Sequence, residues 1–223
     1  IIEAIRRFVD SAAKGEKKYK ATYEILKKNY PKIKNIKEGE NIIKDDDFLK
    51  ESFKAVENMN NSYLYFQGPP GVGKTYTAAF IIIELLKKSK KIGITAQSHK
   101  IIFNLLKKIE ELSLKDKFSF QGFHKAGADK DKRFEGGNFI KNADRVKTGP
   151  GKKDWGDKMK LEFSKMNADL FSGTAWCFTG VNNAKLHFSY QKPVCDQKLD
   201  YIFIDESGLL SIGDIVAISL SAK

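Results

Sequence analysis

The 223 residues hold two cysteines, three histidines, five prolines and four arginines. These shortages exclude several classes of function. Cys177 and Cys195 belong to no C-x-x-C and have no histidine beside them, so they carry no metal site. Two unpatterned thiols fit a reducing interior, and a cytoplasmic location is expected. The apolar runs are short, so no segment should span a membrane. No secretory leader is visible, and the chain opens on Ile1 rather than Met, which points to a piece of something longer. There is no internal repeat.

Arginine is confined to Arg6, Arg7, Arg133 and Arg145, so the other 36 of the 40 basic residues are lysine. With abundant Ile and Asn alongside, the net charge of +12 reads as a compositional bias as much as a patch. Its distribution is more informative. Residues 1–44 and 113–165 each carry a net +6, and the remainder balances at zero. Two basic segments around a neutral core suit a polyanion lying along one face, and equally a solvated surface.

What the chain does have is an apolar content of 41%, enough for a sizeable core, and one stretch that dictates a chemistry. Gly68-Pro-Pro-Gly-Val-Gly-Lys-Thr75 satisfies G-x-x-x-x-G-K-[ST], the Walker A loop. Gly68, Gly71 and Gly73 let backbone N–H groups turn inward where a side chain would block a phosphate. Pro69, Pro70, Val72 and Tyr76 complete the predicted cradle. Lys74 reaches the β and γ phosphates of ATP, and the Thr75 hydroxyl takes a place on Mg²⁺. The apolar run Ser62–Gln67 predicts a buried strand before the loop. Thr77–Lys88 predicts the helix after it, its N-terminus aimed at the phosphates.

Elsewhere, the spacing of Ile1, Ile5, Phe8 and Val9, then of Tyr19, Tyr23 and Leu26, predicts two helices meeting near Gly15. Asp45–Asp47 is a helix start, and Lys91–Ala96 predicts a strand followed by a helix over 101–112. Residues 113–165 lose periodicity and read as an insertion with a small strand pair at Lys117–Gly122. Ala168–Trp176 is an apolar strand with a small-residue loop. Leu199–Glu206 is a buried strand that ends in two acids, the Walker B arrangement. Asp205 would hold Mg²⁺, and Glu206 would act as general base on the attacking water. Repeated strand-loop-helix units give an α/β fold with a parallel sheet.

Four strings, GPPGVGKT (68–75), ITAQSHKIIFNLL (94–106), ADLFSGTAW (168–176) and DYIFIDESGLLS (200–211), carry a resemblance. They look like motifs I, Ia, Ib and II, in order, of superfamily 1 helicases. The matching branch holds the RNA-surveillance and Okazaki-fragment-processing helicases (1B), and prokaryotic chains joined to a RecB-like nuclease look most similar. The resemblance implies a P-loop NTPase with a RecA-like sheet over 45–223, preceded by a basic helical segment over 1–44. It implies ATP hydrolysis coupled to movement on single-stranded nucleic acid, DNA ahead of RNA. Carried over, Ser98, His99, Lys100 and Thr174 would contact backbone phosphates. A helix cap with exposed neighbours is the plainer reading of Ser98–Lys100.

Two departures from the family pattern stand out. No Gln precedes Gln67 to read the base, and no Arg follows Arg145 to supply a finger. The expectation is therefore a first motor domain cut after motif II, needing a second RecA-like domain. Two alternatives remain open at this level. An AAA+ ATPase shares GPPGxGKT, but Lys74 and Asp205 lie 131 positions apart here. A non-hydrolysing module that binds nucleotide and nucleic acid is the other.

Overall fold

The computed structural model describes residues 1–126, 130–143, 165–179 and 195–223, together with the backbone of two short strands at 145–147 and 155–157. Five strands form one parallel sheet: β1 (Ile92–Thr95), β2 (Gly122–His124), β3 (Ile140–Asn142), β6 (Leu170–Ser172) and β7 (Tyr201–Ile204). Their order is β3-β2-β6-β1-β7. β4 (Arg145–Lys147) and β5 (Trp155–Asp157) form a separate antiparallel pair. In register, Ile92 stands opposite Leu170 on one side and Tyr201 on the other. β1 and β6 are buried throughout, which is why both read as unbroken apolar runs. β7 is an edge and only half-buried.

The two faces follow from the strand period of two. Ile92, Ile94 and Leu170 point into a core shared with helices α3 (Phe48–Glu57), α4 (Lys74–Lys87) and α5 (His99–Lys115). Phe171, with Phe178, Cys177, Cys195 and Leu199, forms the core of the opposite face, beneath α6 (Ala175–Thr179). Both thiols are free and buried there. α4 is apolar nearly all round because it is sunk between neighbours. Ile81, Ile82, Ile83 and Leu85 are each at most 1% exposed. Each such burial contributes roughly 1.5–3 kcal/mol.

The two N-terminal helices form as expected, α1 over Ile2–Ala13 and α2 over Lys20–Lys27, with Gly15 at φ +70° between them. They seat on the last helix, α7 (Ile212–Ser219). Ala4, Phe8 and Tyr19 pack on Val216, Ala217 and Leu220, and Thr22 Oγ1 meets Ser219 Oγ at 2.8 Å in the buried contact. Asp47 caps α3 by accepting from the Lys50 N–H.

Two expected elements differ. Ser62–Gln67 forms no strand and belongs to no ladder. Its alternation survives, with Leu64 and Phe66 packed on the core and Tyr65 62% exposed. Its entry is tied instead to residues 29–34. Asn60 N–H donates to the Lys32 carbonyl, Ser62 Oγ accepts from Lys32 N–H, and Tyr63 Oη donates to the Asn29 carbonyl. Strand propensity does not make a strand without a ladder partner.

The strand pair expected at Lys117–Gly122 is also absent. α5 runs on to Lys115, the chain turns at Lys117 with φ +53°, and Phe118 N–H returns to the Ser113 carbonyl. Phe118 and Phe120 stack and face the core, and Gly122 then opens β2, which pairs in parallel with β3 and β6.

Candidate nucleotide site and nucleic-acid interface

Gly71 and Gly73 both sit at φ +86°, a conformation that L side chains rarely adopt, and a Cβ on either would meet nothing within 4 Å. The loop is therefore shaped by backbone sterics and faces open space. It runs directly into α4, which has Gly73 as its N-cap and no side-chain cap. Among the described residues, the N–H groups at the start of α4 up to Tyr76 donate to no protein acceptor. Such a helix start favours an anion through its N–H groups and its dipole.

Lys74 reaches back over the loop, its Nζ donating to the carbonyls of Gly68 (2.6 Å) and Pro69 (2.8 Å). Thr75 is half-buried at the same turn, while Pro69, Pro70, Val72 and Tyr76 are exposed around it. A polyphosphate fits this set of N–H donors and one ammonium, and a hard cation fits a hydroxyl with a carboxylate.

The carboxylate comes from β7. Asp205 N–H donates to the Thr95 carbonyl at 2.9 Å, so the acid is pinned beside the end of β1. Burial pushes its carboxyl above the usual range, and the Glu206 charge pushes the same way. The Glu206 N–H (2.9 Å from Oδ1) and the Lys74 ammonium pull it back. Lys74 and Asp205, 131 positions apart in sequence, thus feel each other's charge. Glu206 holds φ +47°, ψ +46°, a left-handed conformation for a non-glycine residue, and turns the chain out of the strand. Its side chain is exposed and, among the described residues, has no hydrogen-bond or ion-pair partner. Such strain costs on the order of 1 kcal/mol and is found where position matters more than comfort.

The remaining predicted residues lie along the same edge, because all five strands are parallel and release their loops at one end. Gly173 N–H donates to the Ile94 carbonyl (3.1 Å), and Lys125 N–H to the Ser172 carbonyl (2.8 Å). The loops after β2, β6, β1 and β7 therefore stand side by side in that order. Ser98 caps α5, its Oγ accepting from Ile101 N–H at 3.4 Å, so the plainer reading of this serine holds as well. His99 and Thr174 are half-buried and Lys100 is exposed. Gly173 allows the close fit: a Cβ there would lie 2.8 Å from Cys177 Cβ and 3.1 Å from Lys125 Cβ.

Sequence reasoning missed His124. It ends β2 fully buried, with Nε2 at 3.0 Å from His99 Nδ1 and Nδ1 at 3.0 Å from Ser172 Oγ. Its partners lie 25 and 48 positions away, so no local pattern could have found it.

A parallel sheet that presents a phosphate loop, a strand-end acid pair and further polar loops on one edge defines an ATP-binding P-loop domain of the helicase-like class. The chain belongs to the family described as type III restriction enzyme, res subunit, whose model matches residues 3–208. No curated protein matches the chain. Members of this class use ATP and Mg²⁺ and act on nucleic acid. Among the described residues, no helix is long and apolar enough to cross a membrane.

Proposed function

We propose that this chain is the first RecA-like motor domain of an ATP-driven translocase or helicase on single-stranded nucleic acid, of the superfamily 1B type. The reading is carried by one observation. The acid pair of β7 and the polar loops of β1 and β6 are bonded side by side on one sheet edge. Nucleotide at β7 and a strand over β1, β6 and β2 would then lie next to each other. The helicase-like family match favours this over an AAA+ assembly, and a family described by a restriction enzyme favours DNA as the track.

Bound Mg-nucleotide would supply the phosphoryl group and the metal's charge, held by residues 68–76, with Thr75 and Asp205 on the cation. Lys74 would leave the Gly68 and Pro69 carbonyls and place its ammonium on the phosphates. Glu206, whose carboxylate has no partner among the described residues, would take the proton of the attacking water. No Arg follows Arg145, so the charge that an arginine finger contributes, on the order of 10³–10⁵ in rate, would come from a second RecA-like domain.

Ser98, His99, Lys100 and Thr174 would hold backbone phosphates, with the basic segments 1–44 and 113–165 adding non-specific attraction. The test is anisotropy on labelled oligonucleotides at several salt concentrations. Binding should show little sequence preference and fall with a log–log slope of about −0.7 per phosphate neutralised. Ser98→Ala with Thr174→Ala should weaken every sequence about equally and spare ATP binding. A double variant that binds like wild type would remove these loops from the track.

A further inference from the structure

The loops after β1 and β6 are joined by more than backbone. His99, His124 and Ser172 form a continuous hydrogen-bonded line from the exposed edge into the buried sheet. One direction along it suits the hydroxyl. Ser172 Oγ also contacts the Phe123 carbonyl at 3.4 Å, and a carbonyl can only accept, so the hydroxyl hydrogen has an acceptor there. With the hydroxyl so placed, His124 Nδ1 would carry the ring hydrogen and donate to Ser172. A neutral imidazole has one N–H, so in this arrangement His124 Nε2 would accept and His99 Nδ1 would donate to it.

His124 stays neutral. Burial, then the neighbouring His99, lower its pKa to about 3, against an opposing hydrogen bond that the ring donates to the Lys132 backbone carbonyl. In that arrangement the line would fix the tautomer of His99 and leave its Nε2 as the atom that can gain a proton. Protonation there would keep every bond in the line intact, since His99 Nδ1 donates in either state.

We propose that His99 takes up a proton at Nε2 when a backbone phosphate binds, and that His124 and Ser172 are positioning residues that hold its ring for that step. The proposal rests on the nucleic-acid reading given above and adds a proton to it. In the free protein, burial and then Lys132 disfavour a charged His99, while Asp131 favours it. His124 faces it from β2, Phe103 lies alongside on α5, and the N-terminal dipole of α5 also disfavours a cation. A phosphate placed at Nε2 reverses that balance, because an adjacent negative charge stabilises the imidazolium. Binding thus takes up one proton. Affinity rises as pH falls through the bound pKa and levels off below the free one.

The experiment measures binding of a labelled oligothymidylate to the whole chain from pH 8 to 5.5 at fixed salt. Wild-type affinity should rise several-fold, by no more than about tenfold per pH unit for one proton. His99→Gln should flatten the profile and lower affinity most at the acid end. His124→Phe keeps ring volume but removes the acceptor, and should move the rise to lower pH. His124→Gln, whose amide oxygen can accept, should restore it. Ring ¹⁵N spectra of the free protein should show His99 as the Nδ1–H tautomer, which needs no ligand and no variant. The Nε2–H tautomer, or a His99→Gln profile as steep as wild type, would overturn the proposal and leave the track intact. No salt-dependent binding by wild type at any pH would overturn the underlying reading and this proposal with it.

Discussion

His124 makes fold stability depend on acid in a way that can be calculated. Its pKa is about 3 in the folded chain, against an ordinary value of 6.5. The folded pKa is depressed, so the fold holds the neutral ring. Above pH 6.5 both states are neutral and nothing is lost. Below it, the unfolded chain binds a proton that the folded chain refuses, and stability falls by about 1.4 kcal/mol per pH unit down to about pH 3. Between pH 7.5 and 5 the loss is about 2 kcal/mol from this one side chain. Urea unfolding at a series of pH values measures it. His124→Gln cannot titrate, so its stability should fall less steeply by that amount, while carboxylates common to both proteins cancel in the comparison. Parallel curves for wild type and variant below pH 6.5 would refute the buried neutral imidazole.

Two further outcomes are expected. Lys74→Ala should weaken Mg-ATP binding by about 1.5–3 kcal/mol, the range for a charge-assisted contact, and unchanged affinity by titration calorimetry would remove the loop from the nucleotide site. Glu110 is buried on α5, with Oε2 accepting from Asn138 N–H (2.6 Å) and Oε1 from Phe139 (3.0 Å) and Ile140 (2.9 Å). Glu110→Gln turns an amide NH₂ toward one of these donors and should cost about 2–3 kcal/mol by urea denaturation, with faster amide exchange at 138–140. A loss under about 0.5 kcal/mol would make the carboxylate dispensable.

The parts of this site that were legible are those where one residue type is forced by the backbone or by charge. Gly71 and Gly73 occupy left-handed positions, and Asp205–Glu206 end an apolar strand, so both could be read without neighbours. Ser98 was legible as a helix cap, the role its hydroxyl fills in the fold. The unread parts depend on partners far away in sequence. Ser62–Gln67 has strand composition, but a strand needs a ladder, and its bonds go to residues 29–34. Glu110 shares the buried stripe of Leu106 and Ile109, a place where an acid is unexpected until three N–H groups 28–30 positions away arrive. His124 has the same character.

Strand order also decides how the two halves of the edge could communicate. β1 lies between β7 and β6, and its last carbonyls serve both neighbours: Thr95 accepts from Asp205 and Ile94 from Gly173. Ser98, the cap of α5, follows Thr95 by three residues. An Asp205 loop drawn toward a cation must therefore carry the end of β1 with it or give up a backbone bond, at roughly 0.5–1.5 kcal/mol. The Thr174 loop faces the same choice from the other side, and the His99–His124–Ser172 line adds two further bonds across the gap. The bonds into β1 oppose independent movement of the two loops, so, on the proposed reading, a displacement on the nucleotide side would reach the strand side through Ile94–Ser98. Coupling by this route is bounded by the few bonds that carry it. That puts it at about 1–3 kcal/mol, the usual scale of linkage between two sites in one domain.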